Sequence, residues 1–340
     1  MARKSVIGFI LKSAVYWIIP MAVMVIFFIT ADPLRVLRWH SDFMEGGFLP
    51  NKGSVTVKQF NHQKMDKKYD SFIIGSSITI NHWIDDWKEH LPAGANPYHF
   101  DFSEMSPENV ARSLEYLSKQ TEIKNVLYLL EPYVLERNDE GFILPYSTPP
   151  DIHPNLFYRI YLTYRFFNSF YRQSVLSALI SGYFFHTNPE GVFHIFWHKS
   201  IEYYNGNINE ERALKEDSRL DSLYDISLSN NYGWENNHAE ISGKFEPIRM
   251  NDDFKSYFDR IADVLNNYNI NYYVVMAPSR LNRMITPSDE AYFYELFGDR
   301  FINLYFERET LSNNDYLWYT WDHYRPRIAK EIMNRIYNEK

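Results

Sequence analysis

The sequence predicts an α/β protein: a parallel sheet covered by helices, preceded by one membrane-spanning helix. From Tyr69 onward, short apolar runs alternate with helical stretches, and this alternation is typical of parallel sheets with right-handed crossovers. Residues 13–31 carry no charge, and at about 1.5 Å per residue they would span the hydrocarbon core of a bilayer. A signal-peptide cut after Ala31 would place Ile29 where a small residue is required, so an uncleaved anchor is favoured.

The charges that flank this apolar run predict its orientation. Arg3, Lys4 and Lys12 precede the run, and Arg35 and Arg38 follow it. Positive charge is more abundant on the cytoplasmic side of membrane helices. We therefore expect the N-terminus inside the cell and the following domain outside the cytoplasmic membrane.

Composition excludes several functions. The formal net charge of the 340 residues is -8, which opposes nucleic-acid binding because that function normally needs a basic face. The chain has no cysteine, which excludes disulfides, thiolate catalysis and cysteine-bound zinc. His194 and His198 share a helical face, but HIFWH lacks the glutamate of a zinc peptidase, so packing is favoured over a metal site. No metal or organic cofactor is implied.

The chain divides into three predicted parts. Residues 1–31 form the tail and the anchor, 32–66 form a polar linker, and 67–340 form the α/β domain. Within the domain, the aromatic-rich stretch 135–240 interrupts the alternation and is interpreted as a largely helical insertion over the core. Its aromatic side chains suit packing, contact with a membrane surface or stacking on sugar rings, with packing as the default.

Five short apolar segments predict the strands of the sheet. They are rich in β-branched and aromatic residues and are bounded by turn residues. In chain order they are SFIIG (71–75), PYHFDF (97–102), KNVLYLLE (124–131), NYYVVMAP (271–278) and FINLYF (301–306). The third is apolar almost throughout, as expected for a strand with both faces covered.

Helices are predicted between these strands from apolar residues at helical spacing. The first predicted helix has an apolar stripe from Ile80 to Leu91, and the second begins at Ser106 and Pro107. Two more helices are predicted over 252–267 and 288–296, and a last helix follows Pro326. Ser106 is a favourable N-cap, and proline is favourable in the first turn of a helix. Ile328, Ile332 and Ile336 fall on one face of the last helix.

Gly75, Ser76 and Ser77 follow the first predicted strand. Ligands of such sheets bind at the carboxyl ends of the strands, and the next helix would direct free N–H groups to the same place. A serine on this turn can present its hydroxyl for acyl transfer while backbone N–H groups stabilise an oxyanion. Serine and glycine are also favoured in a purely structural strand-to-helix turn.

The segment GSSIT (75–79) resembles block I of the SGNH/GDSL hydrolase superfamily, usually written Gly-Asp-Ser followed by an apolar residue. The resemblance implies a flavodoxin-like three-layer fold with Ser77 as the nucleophile and Ser76 in place of the aspartate. The family places its catalytic histidine before the final helix, where YTWDHYRPRIAKEI contains His323. The closest similarity is to membrane-anchored proteins of bacterial envelope glycan modification, including relatives of teichoic acid D-alanylation and alginate O-acetylation proteins.

The chain departs from the family at the acid that orients the histidine. The family position three residues before the histidine is Thr320 here. Asp322 is adjacent to His323, and neighbouring side chains of an extended segment point apart. Asp322 or Asp315 could reach the imidazole through a turn, or the protein could use a Ser-His dyad.

Other motifs of the family are also altered. The block II glycine is absent from FDFSEMSPEN (100–109), where Ser103 or a nearby N–H could serve the oxyanion together with the Gly75 turn. Block III, Gly-x-Asn, is replaced by LEPY, in which Glu131 could line the substrate pocket or pair with a local cation. Arg325 could bind an anion near the site, although a solvated charge is the favoured interpretation.

The resemblance implies a serine O-acyltransferase or esterase that acts through acyl-Ser77 on an envelope glycan or an acyl carrier. The acyl donor would come from a multispanning membrane acyltransferase partner, and residues 13–31 would contact the lipid bilayer. The altered motifs support an alternative, in which the protein is a catalytically inactive scaffold or glycan-binding subunit of an envelope polysaccharide assembly.

Overall fold

A computed structural model of the chain describes residues 2–32, 36–40, 52–102, 105–136, 148–171, 246–279, 283–305 and 324–338. The predicted α/β class is confirmed in this part of the chain. The strands are β1 (Ser71–Gly75), β2 (Pro97–His99), β3 (Asn125–Leu130), β4 (Glu246–Ile248), β5 (Asn271–Met276), β6 (Arg283–Ile285) and β7 (Phe301–Asn303).

Five of these strands form one parallel sheet in the order β2-β1-β3-β5-β7. Counted within this sheet alone, the order is 2-1-3-4-5, one of the common orders of doubly wound sheets. The central strand β3 pairs with β5 from Asn125 opposite Asn271 to Leu130 opposite Met276. Strands β4 and β6 form a separate parallel pair, which the sequence did not predict.

The described helices occur on both sides of this sheet and at the N-terminus. They are α1 (Ala2–Ala31), α2 (Lys52–Lys67), α3 (Ile84–Lys88), α4 (Pro107–Leu117), α5 (Leu156–Tyr171), α6 (Asp252–Asn267), α7 (Pro287–Phe297) and α8 (Pro326–Asn338). The predicted start of α4 is confirmed, because the Ser106 hydroxyl accepts a hydrogen bond from the Asn109 N–H at 3.3 Å.

Two hydrophobic clusters lie on opposite faces of the sheet. Successive side chains of a strand point to opposite faces, and Phe72 of β1 packs in the cluster that includes residues of α2, α4, α6 and α7. Ile73 packs in the other cluster with Trp87 of α3 and with Ile328 and Ile332 of α8. Helices therefore cover both faces, which explains why β3 is buried along its whole length.

The predicted polar linker over 32–66 is wrong for its second half. Residues 52–67 form α2, in which Val55, Val57 and Phe60 are fully buried. The hydroxyl of Tyr98 also donates to the Thr56 carbonyl at 2.9 Å. The helix contains Gly, Thr, Val and Asn, which have low helix propensity, so the sequence of 52–67 only weakly predicts a helix. Packing against the sheet stabilises the helix instead.

The predicted helix over Ile80 to Leu91 is interrupted. A 3-10 helix spans Ser77–Asn81, the chain turns at His82, and Trp83 is extended with φ -66° and ψ 141°. The five-residue helix α3 follows, with Trp87 buried as predicted. The apolar spacing correctly identified the buried side, but it did not reveal the turn at His82.

The N-terminal segment contains the long helix α1, whose C-terminal end packs against α5. The rings of Phe28 and Phe167 meet edge to face at 5.4 Å, and Phe166 is fully buried between the helices. Within the described residues, no helix combines the length and the apolarity needed to cross a membrane. The membrane-spanning helix predicted for 13–31 stays a prediction.

The predicted insertion over 135–240 is described only in part. Its described residues include α5, which agrees with the predicted helical character. Residues 137–147 and 172–245, with His194 and His198, lie outside the described residues.

The turn after β1 depends on a glycine. Gly75 has φ +154°, and a Cβ built on it would lie 2.6 Å from the Leu129 carbonyl oxygen and 2.9 Å from Cγ2 of Thr79. The Leu129 carbonyl oxygen belongs to the backbone of the central strand, so it cannot move aside without disturbing the sheet. Glycine at this position lets the serine turn approach β3 closely.

We predict that Gly75→Ala destabilises the fold by about 2–4 kcal/mol, because backbone strain and overpacking add. Gly94→Ala is the matched control, since Gly94 has φ +89° but nothing within 4 Å of its built Cβ. We expect the control to cost only about 1 kcal/mol of strain. Urea denaturation measures both values, and equal losses for the two variants would contradict the close approach at Gly75.

Candidate functional site

The carboxyl ends of the parallel strands bring several polar residues to one edge of the sheet. Ser76 and Ser77 follow β1, Asp101 follows β2, and Glu131 follows β3. Sites in doubly wound sheets lie at this edge because the helices begin there and the loops diverge. The edge is therefore the candidate functional site.

The two serines of the turn have different environments. Ser76 is 2% exposed, and its hydroxyl donates to Oε2 of Glu131. Ser77 is partly exposed and begins the 3-10 helix. Of the two hydroxyls, the one at Ser77 is thus the more accessible to a substrate.

Glu131 is a buried acid that supports the turn. Its side chain is 4% exposed and accepts the Ser76 hydroxyl hydrogen. Burial raises the pKa of Tyr324 well above its ordinary value, and the negative charge of nearby Glu131 adds to this shift. The same two causes raise the pKa of Tyr128. A carboxylate in this position accepts hydrogen bonds, so it is not a donor to an oxyanion.

A second buried acid lies beneath the 3-10 helix. Asp101 is 1% exposed, and one of its carboxylate oxygens accepts the Thr79 hydroxyl hydrogen. The Thr79 hydroxyl also lies 2.6 Å from the Ser76 carbonyl oxygen. Nδ1 of His99 is 4.0 Å from the Asp101 carboxylate. These contacts fix the first turn after β1 to the segment that follows β2.

His82 and Tyr324 connect distant parts of the chain at this site. Nε2 of His82 is 2.8 Å from the Tyr324 hydroxyl, and the two rings meet edge to face at 5.7 Å. Both side chains are fully buried. His82 follows the 3-10 helix that begins at Ser77, and Tyr324 leads into α8. The hydrogen bond therefore joins the exit from β1 to the entry into the last helix.

The imidazole of His82 is neutral at physiological pH. Burial lowers the pKa of His82 to about 3, and the charge of nearby His99 adds to this shift. Nδ1 of His82 has no hydrogen-bond partner among the described residues. A neutral ring fits its role as the partner of the Tyr324 hydroxyl, because a buried imidazolium would need a counter-charge.

Arg325 corrects one expectation. The sequence favoured a solvated charge at this position, but the structure leaves Arg325 only 1% exposed. A guanidinium is costly to bury and must be compensated by hydrogen bonds or opposite charge. Tyr324 and Arg325 thus extend the last segment into the interior at the candidate site, and spacing in the sequence gave no sign of this.

The predicted site residues divide into two groups. Gly75, Ser77 and Glu131 lie at the carboxyl edge of the sheet. Four others lie outside the described residues: Ser103, Asp315, Asp322 and His323. Sequence reasoning missed Ser76 as the partner of Glu131, and it missed His82, although His82 stands only five positions after Ser77.

Two cavities differ in their relation to this edge. A cavity of about 930 Å³ lies at the amino ends of the strands, among Asp70, Asn125 and Asn271, away from the serines. A smaller cavity of about 470 Å³ lies between the first turn of α4 and α5, with Arg112 and His153 in its wall. Only the smaller cavity lies toward the serine edge, because α4 begins on the carboxyl side of β2.

Comparisons with known proteins add no relative to this description. A search of the chain against protein-family models found no match, and a search against curated proteins found none that is significant. The resemblance of GSSIT to an SGNH motif therefore depends on the residues of the chain itself.

We predict that His82 makes the protein less stable in mild acid. Its pKa in the folded protein, about 3, is below the ordinary value of about 6.5, so only the unfolded chain gains a proton between these values. The stabilisation is complete above about pH 6.5 and decreases as the pH falls, by about 2 kcal/mol at pH 5. Urea denaturation at pH 7.5 and pH 5.0 measures this loss.

Two variants isolate this effect. His82→Gln should remove its part of the pH dependence, whereas Tyr324→Phe should retain it because the imidazole stays buried. Each variant leaves one buried polar group without its partner, so each should lose about 1–3 kcal/mol at pH 7.5. An unchanged difference between the two pH values in His82→Gln would refute the assignment.

Proposed function

We propose that this protein is a membrane-anchored, extracytoplasmic serine acyltransferase or esterase of the SGNH-like type. Its substrate would be an envelope glycan or an acyl carrier, and Ser77 would be the nucleophile. In this proposal the parallel sheet with two helical layers corresponds to the flavodoxin-like core of that superfamily.

The observation that carries the proposal is the hydrogen bond between His82 and Tyr324. Ser77 begins the helix that leads to His82, and His323 directly precedes Tyr324 in the chain. The hydrogen bond brings Tyr324, the residue that follows His323 in the chain, to the end of the segment that begins at Ser77. This supports a functional pairing of Ser77 with His323.

The environments of the two serines support the choice of nucleophile. Ser76 is buried and bonded to Glu131, whereas Ser77 is partly exposed at the strand edge. A nucleophile needs both access to the substrate and a base within hydrogen-bond reach. Ser77 meets the first requirement, and His323 is proposed to meet the second.

The proposed reaction is acyl transfer in two steps. His323 takes the proton of the Ser77 hydroxyl as Oγ bonds to the acyl carbonyl carbon, and the resulting oxyanion is stabilised by the Ser77 N–H and a donor near Ser103. His323 then gives the proton to the leaving oxygen, which forms acyl-Ser77. A sugar hydroxyl or water then gives its proton to His323 and bonds to the acyl carbonyl carbon. His323 passes this proton to Oγ of Ser77 as the bond between Oγ and the acyl group breaks. Asp322 or Asp315 is proposed to orient the imidazole.

The proposed location is the outer face of a bacterial cytoplasmic membrane, with the N-terminus inside. The support is the uncharged run 13–31 and its positive flanks. Within α1, large apolar side chains from Val15 to Ile29 are exposed, including Ile18 at 63% and Ile26 at 60%. A multispanning membrane acyltransferase is the proposed source of the acyl group.

The alternative function is a catalytically inactive scaffold or glycan-binding subunit. The observation that favours it is the hydrogen bond from the Ser76 hydroxyl to Glu131. This bond gives two polar side chains at the carboxyl edge of the sheet a structural function. In this alternative, Ser77 is only the first residue of a 3-10 turn.

Labelling with a fluorophosphonate tests the catalytic proposal, because this probe reacts covalently with activated serines. We expect the parent protein to be labelled at Ser77 and Ser77→Ala to remain unlabelled. His323→Ala should be labelled at least about 100-fold more slowly, since general-base catalysis is lost. Mass spectrometry identifies the modified peptide and gives the rate.

Ser76→Ala is the matched control. It removes a buried hydroxyl, so it should lower stability by about 1–3 kcal/mol but still be labelled. Labelling of Ser77→Ala at the parent rate would disprove the nucleophile. A folded parent protein that is never labelled would favour the scaffold.

A further inference from the structure

Exposed large apolar side chains are concentrated on two helices. Among the described residues, eight such side chains lie on α1 and six on α5, while only Met65, Tyr268 and Tyr294 lie elsewhere. Isolated exposed apolar residues are ordinary, but a contiguous group indicates a surface that meets a partner or a membrane. The group on α5 belongs to the α/β domain and not to the apolar N-terminal run.

Five of the six exposed side chains of α5 occupy one side of the helix. We define the aromatic face of α5 as Leu156, Phe157, Ile160, Tyr161 and Tyr164. These positions recur at intervals of three and four residues, so they share one side of the helix. Their exposures run from 49% at Tyr161 to 81% at Phe157, whereas Leu162 and Phe166 on the other side are 2% or less exposed.

The buried side of α5 joins it to the end of α1. Phe166 is fully buried in a cluster with Phe28 of α1 and Val36, and Phe167 packs edge to face on Phe28. The helix α5 therefore meets the helix that contains the uncharged run 13–31 just after the aromatic face ends at Tyr164. A surface that adjoins a proposed membrane anchor is within reach of the same bilayer.

The charges of α5 are suited to a lipid surface. The helix contains Arg159 and Arg165 and no acidic residue. Arg159 donates to the carbonyls of His153 and Asp151, which keeps its cation at the first turn of the helix. Tyrosine, phenylalanine and arginine on one helix are typical of segments that lie at the boundary between headgroups and acyl chains, where anionic lipids attract the cations.

We infer that α5 lies on the outer surface of the bilayer, with its aromatic face in contact with anionic lipids. The helix would lie in the plane of the membrane, with the face about 5–10 Å below the headgroup surface. This inference uses the proposed membrane location but does not depend on the chemistry proposed for Ser77.

Site-directed spin labelling tests this inference in the full chain. The protein contains no cysteine, so single variants Tyr161→Cys and Tyr164→Cys take up one nitroxide each without further changes. Each labelled protein is reconstituted in liposomes of phosphatidylcholine and phosphatidylglycerol. Collision of the nitroxide with oxygen, which partitions into lipid, is compared with collision with a water-soluble nickel complex.

We expect both labels to collide much more often with oxygen than with the nickel complex. The ratio of the two collision rates should place them about 5–10 Å below the headgroup surface. Two further labels are controls. Tyr268 is exposed at the amino edge of the sheet, so the label at Tyr268→Cys should collide more often with the nickel complex than with oxygen. Ile19→Cys on α1 should favour oxygen if the proposed anchor is in the bilayer.

The outcomes separate this inference from the proposed anchor. An oxygen-accessible label on α1 combined with water-accessible labels on α5 would keep the anchor and overturn the inference. Spin–spin broadening at Tyr161→Cys that disappears on dilution with unlabelled protein would show that a second copy covers the face, which also overturns it. Should one variant fail to fold, as judged by circular dichroism, Phe157→Cys probes the same face.

Discussion

The hydrogen bond between Nε2 of His82 and the Tyr324 hydroxyl joins residues 242 positions apart. Its net contribution to stability is about 1 kcal/mol, but its structural effect is larger. It holds His82, where the chain turns between the 3-10 helix and α3, against the residue that leads into α8. Because α8 supplies much of the cluster on one face of the sheet, the site and that helical layer depend on the same contact.

The buried acids at this edge hold the backbone that presents Ser77. Glu131 accepts the Ser76 hydroxyl, and Asp101 accepts the Thr79 hydroxyl, so both sides of the Ser77 turn are fixed from below. Gly75 permits this arrangement because any side chain at that position would meet the backbone of β3. The polar groups are thus arranged so that the turn is rigid while the Ser77 side chain stays partly exposed. Support of this kind suits the nucleophile proposed at Ser77.

Local periodicity predicted the five strands of the main sheet and several of the helices between them, but not the contacts between these elements. The helix Asp252–Asn267 and the buried face of α8 were predicted with correct bounds or residues, since their apolar spacing is strong over several turns. α2 was missed because its helix is stabilised mainly by packing. At the site, the strand edge and the positions of Ser77 and Glu131 follow from topology. The pairing of His82 with Tyr324 and the burial of Arg325 do not, because a single residue carries no spacing signal.

The exchange of polar groups at the edge bears on the choice between a catalytic and a scaffolding function. The motif that GSSIT resembles has an aspartate where this chain has Ser76, and Glu131 follows the third strand within LEPY, which stands where the family has Gly-x-Asn. The structure places the Glu131 carboxylate on the Ser76 hydroxyl, so an acid reaches the turn from β3 instead of from the turn itself. The two departures then form one coupled exchange that keeps a carboxylate behind the serine. Counted as a single change, they weigh less against the proposed catalysis than two independent losses would.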